Sequence, residues 1–278
     1  MSNCITVGKV IMYADDVTVL IAASTATEAE NKIKIVIDQF ADYCNKNQLI
    51  VNLDKTFSVQ FRIRNPVQKT VTVKSQIQFS SSMKYLGVII DENVKWVLQI
   101  NSVCKKLNYY YYQLRHLKTV YDQRMLLIFY DAFIVNTMKY AIIIWGASID
   151  RNRVFKIQKK ILRLIFKLKY TESCRSLFKD NMILTYYGIF GYELITEMYK
   201  LNYFVAKDSN HYYTRPNSNV AIRRKTAFYE KFPTYYIGYK IHARLPEAVK
   251  KENNLRDFQT KLKTHLIKIV PYDLCDLM

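Results

Sequence analysis

The sequence predicts an α+β fold in which a β-rich first third precedes a mainly helical remainder. Up to residue 92, short apolar runs alternate with turns and one amphipathic segment, whereas residues 93–170 show helical periodicity throughout. The 278 residues are half apolar and include 23 Tyr and 14 Phe, which excludes a chain disordered along its whole length. We expect a partial sheet with a helix at 1–92, helices at 93–170 and a mixed region at 171–278.

The first predicted element is a β-hairpin. Apolar runs at residues 8–13 and 17–22 flank Ala14, Asp15 and Asp16. Because acidic residues favour turns, this pattern predicts a buried hairpin with its carboxylates at the tip.

A helix and three strands complete the predicted first third. Thr27 and Glu30 have the spacing of a capping box, which predicts a helix starting there. Apolar residues then recur at helical spacing: Ile33, Ile37, Phe40, Ala41 and Cys44. Alternating or β-prone residues predict strands at 51–61, 70–79 and 85–90.

The helical middle is predicted as three long helices. Apolar spacing places them from Trp96 to Leu117, from Asp122 to Trp145 and from Arg151 to Lys169, and a last basic amphipathic helix at 254–269. The second is long enough to span a bilayer. It contains Asp131, Asn136 and Lys139, which are costly in a membrane, and this favours a buried helix of a soluble protein.

The charge of the chain indicates a polyanionic partner. The formal net charge is +19, and residues 93–170 hold fifteen Lys and Arg against three Asp and Glu. Nucleic acid is the leading partner, and an anionic membrane surface is the alternative. The five cysteines are widely spaced and the N-terminus shows no targeting pattern, so we expect a reducing intracellular compartment, nuclear or cytoplasmic.

The segment Tyr13-Ala14-Asp15-Asp16 is the sharpest chemical signal. Phosphoryl transfer by two metal ions needs carboxylates fixed on a rigid element. Because side chains alternate along a strand, one of the two acids would bind metal and the other would orient it. An acidic turn without a chemical role is the alternative interpretation.

The order of motifs resembles the reverse transcriptases of non-LTR retrotransposons, particularly the jockey-like elements of insects. The resemblance is carried by Tyr13 to Asp16, Asn52-x-x-Lys55-Thr56, Tyr85-Leu86-Gly87, Trp96 with Cys104 to Leu107, Tyr140 to Gly146, Ile157 to Lys160 with Ser173 to Arg175, His211 to Arg215, and Gly238 to Lys240 with Leu245-Pro246. It extends over nearly the whole chain and implies a partial palm at 1–92, a helical thumb at 93–170 and a post-thumb region at 171–278.

The resemblance implies an RNA-directed DNA polymerase that extends a DNA primer on an RNA template with deoxynucleoside triphosphates and two Mg²⁺ ions. It implies that Asp15 and Asp16 bind metal and that Lys55 protonates the leaving pyrophosphate. An ordinary solvated lysine is the alternative for Lys55. Tyr85, Leu86 and Gly87 would position the primer end, although the glycine could equally mark a bulge.

Polymerases of this family carry the fingers and the first metal-binding aspartate upstream of the YADD motif. The printed sequence begins just before that motif. We therefore expect a C-terminal fragment that does not polymerise alone. The alternative is a catalytically inactive nucleic-acid-binding remnant of a degenerate element. Its oligomeric state is open.

Basic residues of the middle region are the candidate nucleic-acid contacts: Lys105, Lys106, Arg151, Arg153, Lys156, Lys159, Lys160, Arg163, Lys167 and Lys169. A membrane-bound or merely solvated helix face is the alternative. Tyr109 to Tyr112 could stack on bases, but four consecutive residues surround a helix, so we expect one or two of them in the core.

Overall fold

A computed structural model of the protein describes residues 4–52, 55–61, 78–204 and 232–278. The fold class is α+β, as predicted. The chain divides into two compact units. The first comprises the described residues up to Tyr85 together with Ile90–Val94, and the second comprises Leu86–Ile89 together with Lys95–Met278.

The first unit begins with an antiparallel hairpin. Strand β1 (Lys9–Tyr13) pairs with β2 (Asp16–Leu20), and Tyr13 lies opposite Asp16. Ala14 and Asp15 form the two-residue turn, with Ala14 in the left-handed region at φ 52°. The expectation that this hairpin is buried was wrong, because none of its ten strand residues is buried. Two strands alone cover little of each other's surface.

Helix α1 (Ala26–Lys46) begins earlier than predicted. Its N-cap is Thr25, whose hydroxyl accepts a hydrogen bond from the Glu28 amide, so the capping pair is Thr25 and Glu28 rather than Thr27 and Glu30. The two Thr-x-x-Glu patterns overlap, and the sequence alone does not choose between them. Hydrogen bonds from Lys32 and then Ser24 lower the pKa of Glu28 to about 2.

The remaining strands are short. Strand β3 (Phe57–Ser58) pairs in parallel with β4 (Gln78–Phe79), so little of the predicted strand at 51–61 forms. Most of the predicted strand at 70–79 lies outside the described residues.

The single strand predicted at 85–90 was wrong. The chain forms a hairpin there, with β5 (Ser82–Tyr85) paired to β6 (Val88–Asp91). The turn between them is Leu86-Gly87, with φ values of 44° and 82°. Tight hairpin turns use left-handed φ at both central positions, which glycine adopts without strain.

The second unit is helical apart from its part of this hairpin. Its described helices are α2 (Val97–Leu117), α3 (Gln123–Phe129), a π-helical segment (Tyr130–Val135), α4 (Asn136–Lys139), α5 (Ile142–Trp145), α6 (Arg151–Ile165), α7 (Arg175–Asp180), α8 (Tyr186–Lys200), a 3₁₀ turn (Pro233–Tyr235), α9 (Ile237–Arg244), α10 (Glu247–Lys250) and α11 (Leu255–Ile269). The predictions of α2 and α11 are confirmed. The apolar stripe of α2, including Ile100, Val103, Leu107 and Leu114, is buried as expected.

The helix predicted from Asp122 to Trp145 is interrupted once. Asp122 caps α3 through a hydrogen bond from the Met125 amide at 2.9 Å. From α3 the helix continues through the π-helical segment and α4 to Lys139. It then breaks before α5, where Ala141 takes a left-handed φ of 52°. In the part of the chain that the structure describes, no helix combines the length and apolarity needed to cross a bilayer.

Helix α6 is shorter than predicted. It ends at Ile165, and Lys167 takes a left-handed φ of 56° beyond that end. Lys167 and Lys169 therefore lie outside the helix on which they were placed.

Helix α8 lies at the centre of the second unit and packs against α4, α5, α6, α9 and α11. It is buried around most of its circumference, which suits a helix whose apolar residues follow no single stripe. The buried side chain of Gln158 joins α6 to α8. Its amide donates to the Tyr130 hydroxyl at 2.8 Å and the Leu184 carbonyl at 2.9 Å, and its oxygen accepts from the Tyr186 amide at 2.7 Å.

A first prediction concerns Gly146, which follows α5. A Cβ there would lie 2.5 Å from the Ile142 carbonyl oxygen and 2.6 Å from a ring carbon of Phe190. We expect Gly146→Ala to lower the free energy of unfolding by about 2–3 kcal/mol, because backbone and a packed ring would have to move. Urea denaturation measures the change.

The matched control is Gly191→Ala in α8. Its Cβ would meet only the ends of two leucine side chains, Leu277 at 3.3 Å and Leu266 at 3.8 Å, and alanine favours a helix. We expect a change below about 1 kcal/mol. Equal losses in the two variants would contradict the packing argument.

A second prediction concerns His242, whose ring stacks on Phe204 at 3.8 Å. Burial, followed by the nearby Lys250, lowers the pKa of His242 from its ordinary value near 6.5 to about 4. The unfolded chain therefore binds a proton more readily, so stability should be lost as the pH falls from about 6.5 to 4.

His242→Phe keeps a stacking ring but cannot take up a proton. We expect its urea midpoint to fall less than that of the unmodified protein between pH 7 and 4.5. Parallel pH profiles for the two proteins would show that His242 does not control this loss.

Candidate nucleic-acid interface and acidic hairpin

The acidic hairpin presents its carboxylates to solvent. Asp15 lies in the turn, Asp16 begins β2, and both are exposed. Their oxygen atoms are the hard donors that Mg²⁺ prefers, and this ion is commonly held by one or two carboxylates together with substrate phosphates. Asp15 and Asp16 thus have the chemistry of some of the ligands of a Mg²⁺ site. Among the residues described, no three His, Cys, Asp or Glu side chains gather into a metal-binding group.

Lys55 lies in a turn shaped by its own motif. The Asn52 side-chain oxygen accepts a hydrogen bond from the Lys55 amide at 3.3 Å, and the Thr56 hydroxyl donates to the Asn52 carbonyl at 2.8 Å. Asn52 and Thr56 therefore fold the turn, and the lysine is left exposed. Within the described residues, no hydrogen bond or ion pair joins Lys55 to the acidic hairpin.

The Leu86-Gly87 turn is fastened by a distant tyrosine. The Tyr140 hydroxyl donates a hydrogen bond to the Leu86 carbonyl, and a Cβ on Gly87 would lie 3.4 Å from the Tyr140 ring. The Ile89 amide donates to the buried Gln99 side chain at 2.9 Å. Tyr140 thus holds the turn for which the resemblance implies a role at the primer end.

Tyr140 belongs to a second motif, Tyr140-x₄-Trp145-Gly146. The Trp145 indole N–H donates to the Tyr140 carbonyl at 3.0 Å, and the Gly146 carbonyl accepts from the Tyr186 hydroxyl at 2.8 Å. The sequence contained both motifs, but nothing in it showed that they touch across 54 positions.

Part of the basic set predicted on α6 makes internal contacts. The Arg151 guanidinium lies 3.3 Å from the Asp273 carboxylate. The Lys159 ammonium lies over the rings of Phe155 at 4.5 Å and Tyr272 at 5.3 Å. Burial, followed by nearby cations, lowers the pKa of Lys159. Arg151 and Lys159 are engaged with the chain's own C-terminal segment.

The other predicted cations differ in their surroundings. Arg153 donates to the Asn101 side chain at 2.7 Å, which ties α6 to α2. Lys156 on α6 and Lys105 and Lys106 on α2 are exposed. These three lysines keep their charge available to a partner.

A basic groove of about 430 Å³ lies on the second unit. Its lining residues come from the ends of α2 and α6 and the segment after α6: Tyr111, Lys118, Lys160, Arg163, Leu164, Lys167, Leu168 and Tyr170. Four of them are cationic and two are aromatic, and no acidic side chain lines the groove within the described residues. This combination suits a phosphate backbone and its bases.

Only some of the residues that line this groove were predicted from the sequence. Lys160, Arg163 and Lys167 were predicted contacts, whereas Lys118 and Tyr170 were not. The basic and aromatic run at 167–170 was the available signal.

Of the four adjacent tyrosines, at least one or two were expected in the core, but none is buried. Tyr110 packs on Phe129 and Phe133, and Tyr111 is half-buried in the basic groove. Tyr109 and Tyr112 are exposed.

More than half of the chain is similar in sequence to known proteins. A probable RNA-directed DNA polymerase from transposon BS of Drosophila melanogaster is 26% identical over 176 residues, which are 60% of this chain. The RNA-directed DNA polymerase from mobile element jockey of Drosophila funebris is 26% identical over 166 residues, or 57% of this chain. The chain is similar to transposon RNA-directed DNA polymerases of the jockey kind.

The resemblance that the motifs indicated is thereby confirmed. The matched stretches span about a fifth of these relatives, 19% and 18% of their lengths. No family model and no solved structure matches the chain. The segment from His211 to Arg215, quoted for the resemblance, lies outside the described residues, as do Leu53 and Asp54.

A third prediction tests the tie between the two motifs. Tyr140→Phe removes the hydroxyl that donates to the Leu86 carbonyl and keeps the ring. We expect a loss of about 1 kcal/mol in unfolding free energy and faster amide exchange in the Leu86-Gly87 turn. Tyr121→Phe, at an exposed tyrosine, is the control. An unchanged exchange rate in the turn would contradict the proposed tie.

Proposed function

We propose that this chain is part of an RNA-directed DNA polymerase of a mobile element and that its second unit binds nucleic acid. In this proposal, residues 1–92 form part of the palm, 93–170 the thumb and 171–278 the post-thumb region. Sequence similarity to transposon polymerases supports the assignment. The observation that carries it is the basic groove, where four cations gather without an acidic neighbour among the described residues.

The electrostatic argument favours nucleic acid over a neutral partner. A polyanion releases condensed counterions when lysines and arginines replace them, and this favours binding at low salt. The groove, together with exposed Lys105, Lys106 and Lys156, offers such cations on α2 and α6. The substrates we propose are an RNA template, a DNA primer and deoxynucleoside triphosphates.

The acidic hairpin has the complementary role in this proposal. Asp15 and Asp16 would supply carboxylate ligands to Mg²⁺, which in such enzymes activates the primer hydroxyl and neutralises phosphate charge. Lys55, held exposed by its turn, would donate a proton to the leaving pyrophosphate. The Leu86-Gly87 turn, which Tyr140 fastens, would orient the primer end together with Tyr85.

A fourth prediction tests nucleic-acid binding by its salt dependence. We expect the protein to bind an RNA–DNA primer–template and the affinity to fall steeply with KCl, as measured by fluorescence anisotropy. Lys118→Ala, Lys160→Ala and Lys167→Ala together should reduce the slope of log K against log salt by about 2, because each lost phosphate contact contributes about 0.7–0.9.

The control removes the same charge from the first unit, with Lys9→Ala, Lys34→Ala and Lys46→Ala together. These lysines are exposed and lie on β1 and α1. Equal reductions in both variants would show that only net charge matters and would contradict an interface at the groove.

Primer extension tests the hairpin. Extension with Mg²⁺ that is lost in Asp15→Asn, with binding unchanged, would support the metal-binding role of Asp15. Binding without extension would fit a chain that binds nucleic acid and does not catalyse polymerisation.

A further inference from the structure

The basic groove combines cations and aromatic rings in a way that phosphate binding alone does not need. Tyr170 is 85% exposed, although a large aromatic side chain gains free energy when it is covered. It lines the groove beside Lys167. An exposed ring beside cations is the arrangement used to stack an unpaired base while the backbone is held by charge.

Two of the groove's four cations, Lys160 and Arg163, make contacts within the chain. The Arg163 side chain donates two hydrogen bonds to the Glu172 carbonyl, at 3.2 and 2.9 Å, and its guanidinium lies 5.7 Å from the Tyr170 ring. The Lys160 ammonium lies 4.0 Å from the centre of the Tyr111 ring. Each of these two cations therefore lies beside one of the two rings, in a contact of the cation–π type.

The outer cations remain available for phosphate. Lys118 and Lys167 are exposed on two different segments that line the groove, one at the end of α2 and one after α6. A volume of about 430 Å³ is of the size that accepts a small ligand. An exposed ring favours an unpaired base, because the paired bases of a duplex already stack on one another and offer no free face.

We propose that this groove binds a single-stranded stretch of polynucleotide, with one unpaired base stacked on Tyr170 and the adjoining phosphates held by Lys118 and Lys167. The inference rests on the proposed function and specifies the ligand of its interface. Because every base has an aromatic face, single-stranded RNA and DNA should bind with similar dependence on Tyr170.

The test compares strands at one salt concentration. Fluorescence anisotropy of the full chain would be measured with a 12-nucleotide single-stranded RNA, the same sequence as DNA, and a blunt RNA duplex. We expect Tyr170→Leu to weaken both single strands about tenfold, the scale of one lost base stack, and to leave duplex affinity unchanged. Tyr170→Phe should retain single-strand affinity, and Tyr121→Leu, at an exposed tyrosine outside the groove lining, should do the same.

The outcomes separate the two proposals. If Tyr170→Leu binds single strands as tightly as the unmodified protein, the stacking groove is wrong while nucleic-acid binding stands. Equal weakening of single strands and duplex would also overturn it. If the unmodified protein binds none of the three probes, both the proposed function and the proposed ligand of the groove are wrong.

Discussion

The second unit depends on a buried amide, the side chain of Gln158, which is 0% exposed. Each hydrogen bond it makes reaches a different part of the chain, namely the π-helical segment, the loop before α8 and the first residue of α8. A buried amide left without partners costs about 1–3 kcal/mol for each unsatisfied group. The register of α6 is thereby fixed, and burial also raises the pKa of its partner Tyr130. Lys160 and Arg163, which line the groove, follow Gln158 on the same helix.

The C-terminal segment contacts some of the cations on α6. The number of basic residues on this helix is therefore larger than the number available to a partner. The Pro271 carbonyl accepts a hydrogen bond from Thr185, the N-cap of α8, and the Tyr272 ring packs edge-on against Phe155. Arg151 and Lys159 meet this segment and stabilise it. Some cations of a basic amphipathic helix can thus contact other residues of the same unit. The packed structure is needed to show which cations stay available to a partner.

Whether the sequence could predict an element depends on how that element is buried and what holds it. Helix α2 has one buried stripe, so its periodicity was visible, whereas the all-round burial of α8 leaves no such stripe to detect. The turn at Leu86 was not predicted, because leucine is uncommon at left-handed φ. The Leu86 carbonyl accepts a hydrogen bond from the distant Tyr140 hydroxyl. Of the groove, Lys160 and Arg163 were predictable from the charge of one helix. Lys118 joins them only because helix packing brings a second helix end alongside, and no local pattern encodes that.

The motifs of the resemblance differ in what their side chains do. Tyr140, Trp145 and Gly146 are used internally, through hydrogen bonds and a glycine whose replacement would collide with Phe190. The contacts of these three residues give them a structural role in this chain. Asp15, Asp16 and Lys55 are instead exposed, and within the described residues their side chains make no hydrogen bond or ion pair. A hairpin tip and a surface turn would form as well with Asn or Ser, which have the same turn preference. Packing therefore gives no reason for these two acids and this lysine, whereas the metal-binding and proton-donating roles proposed for them would.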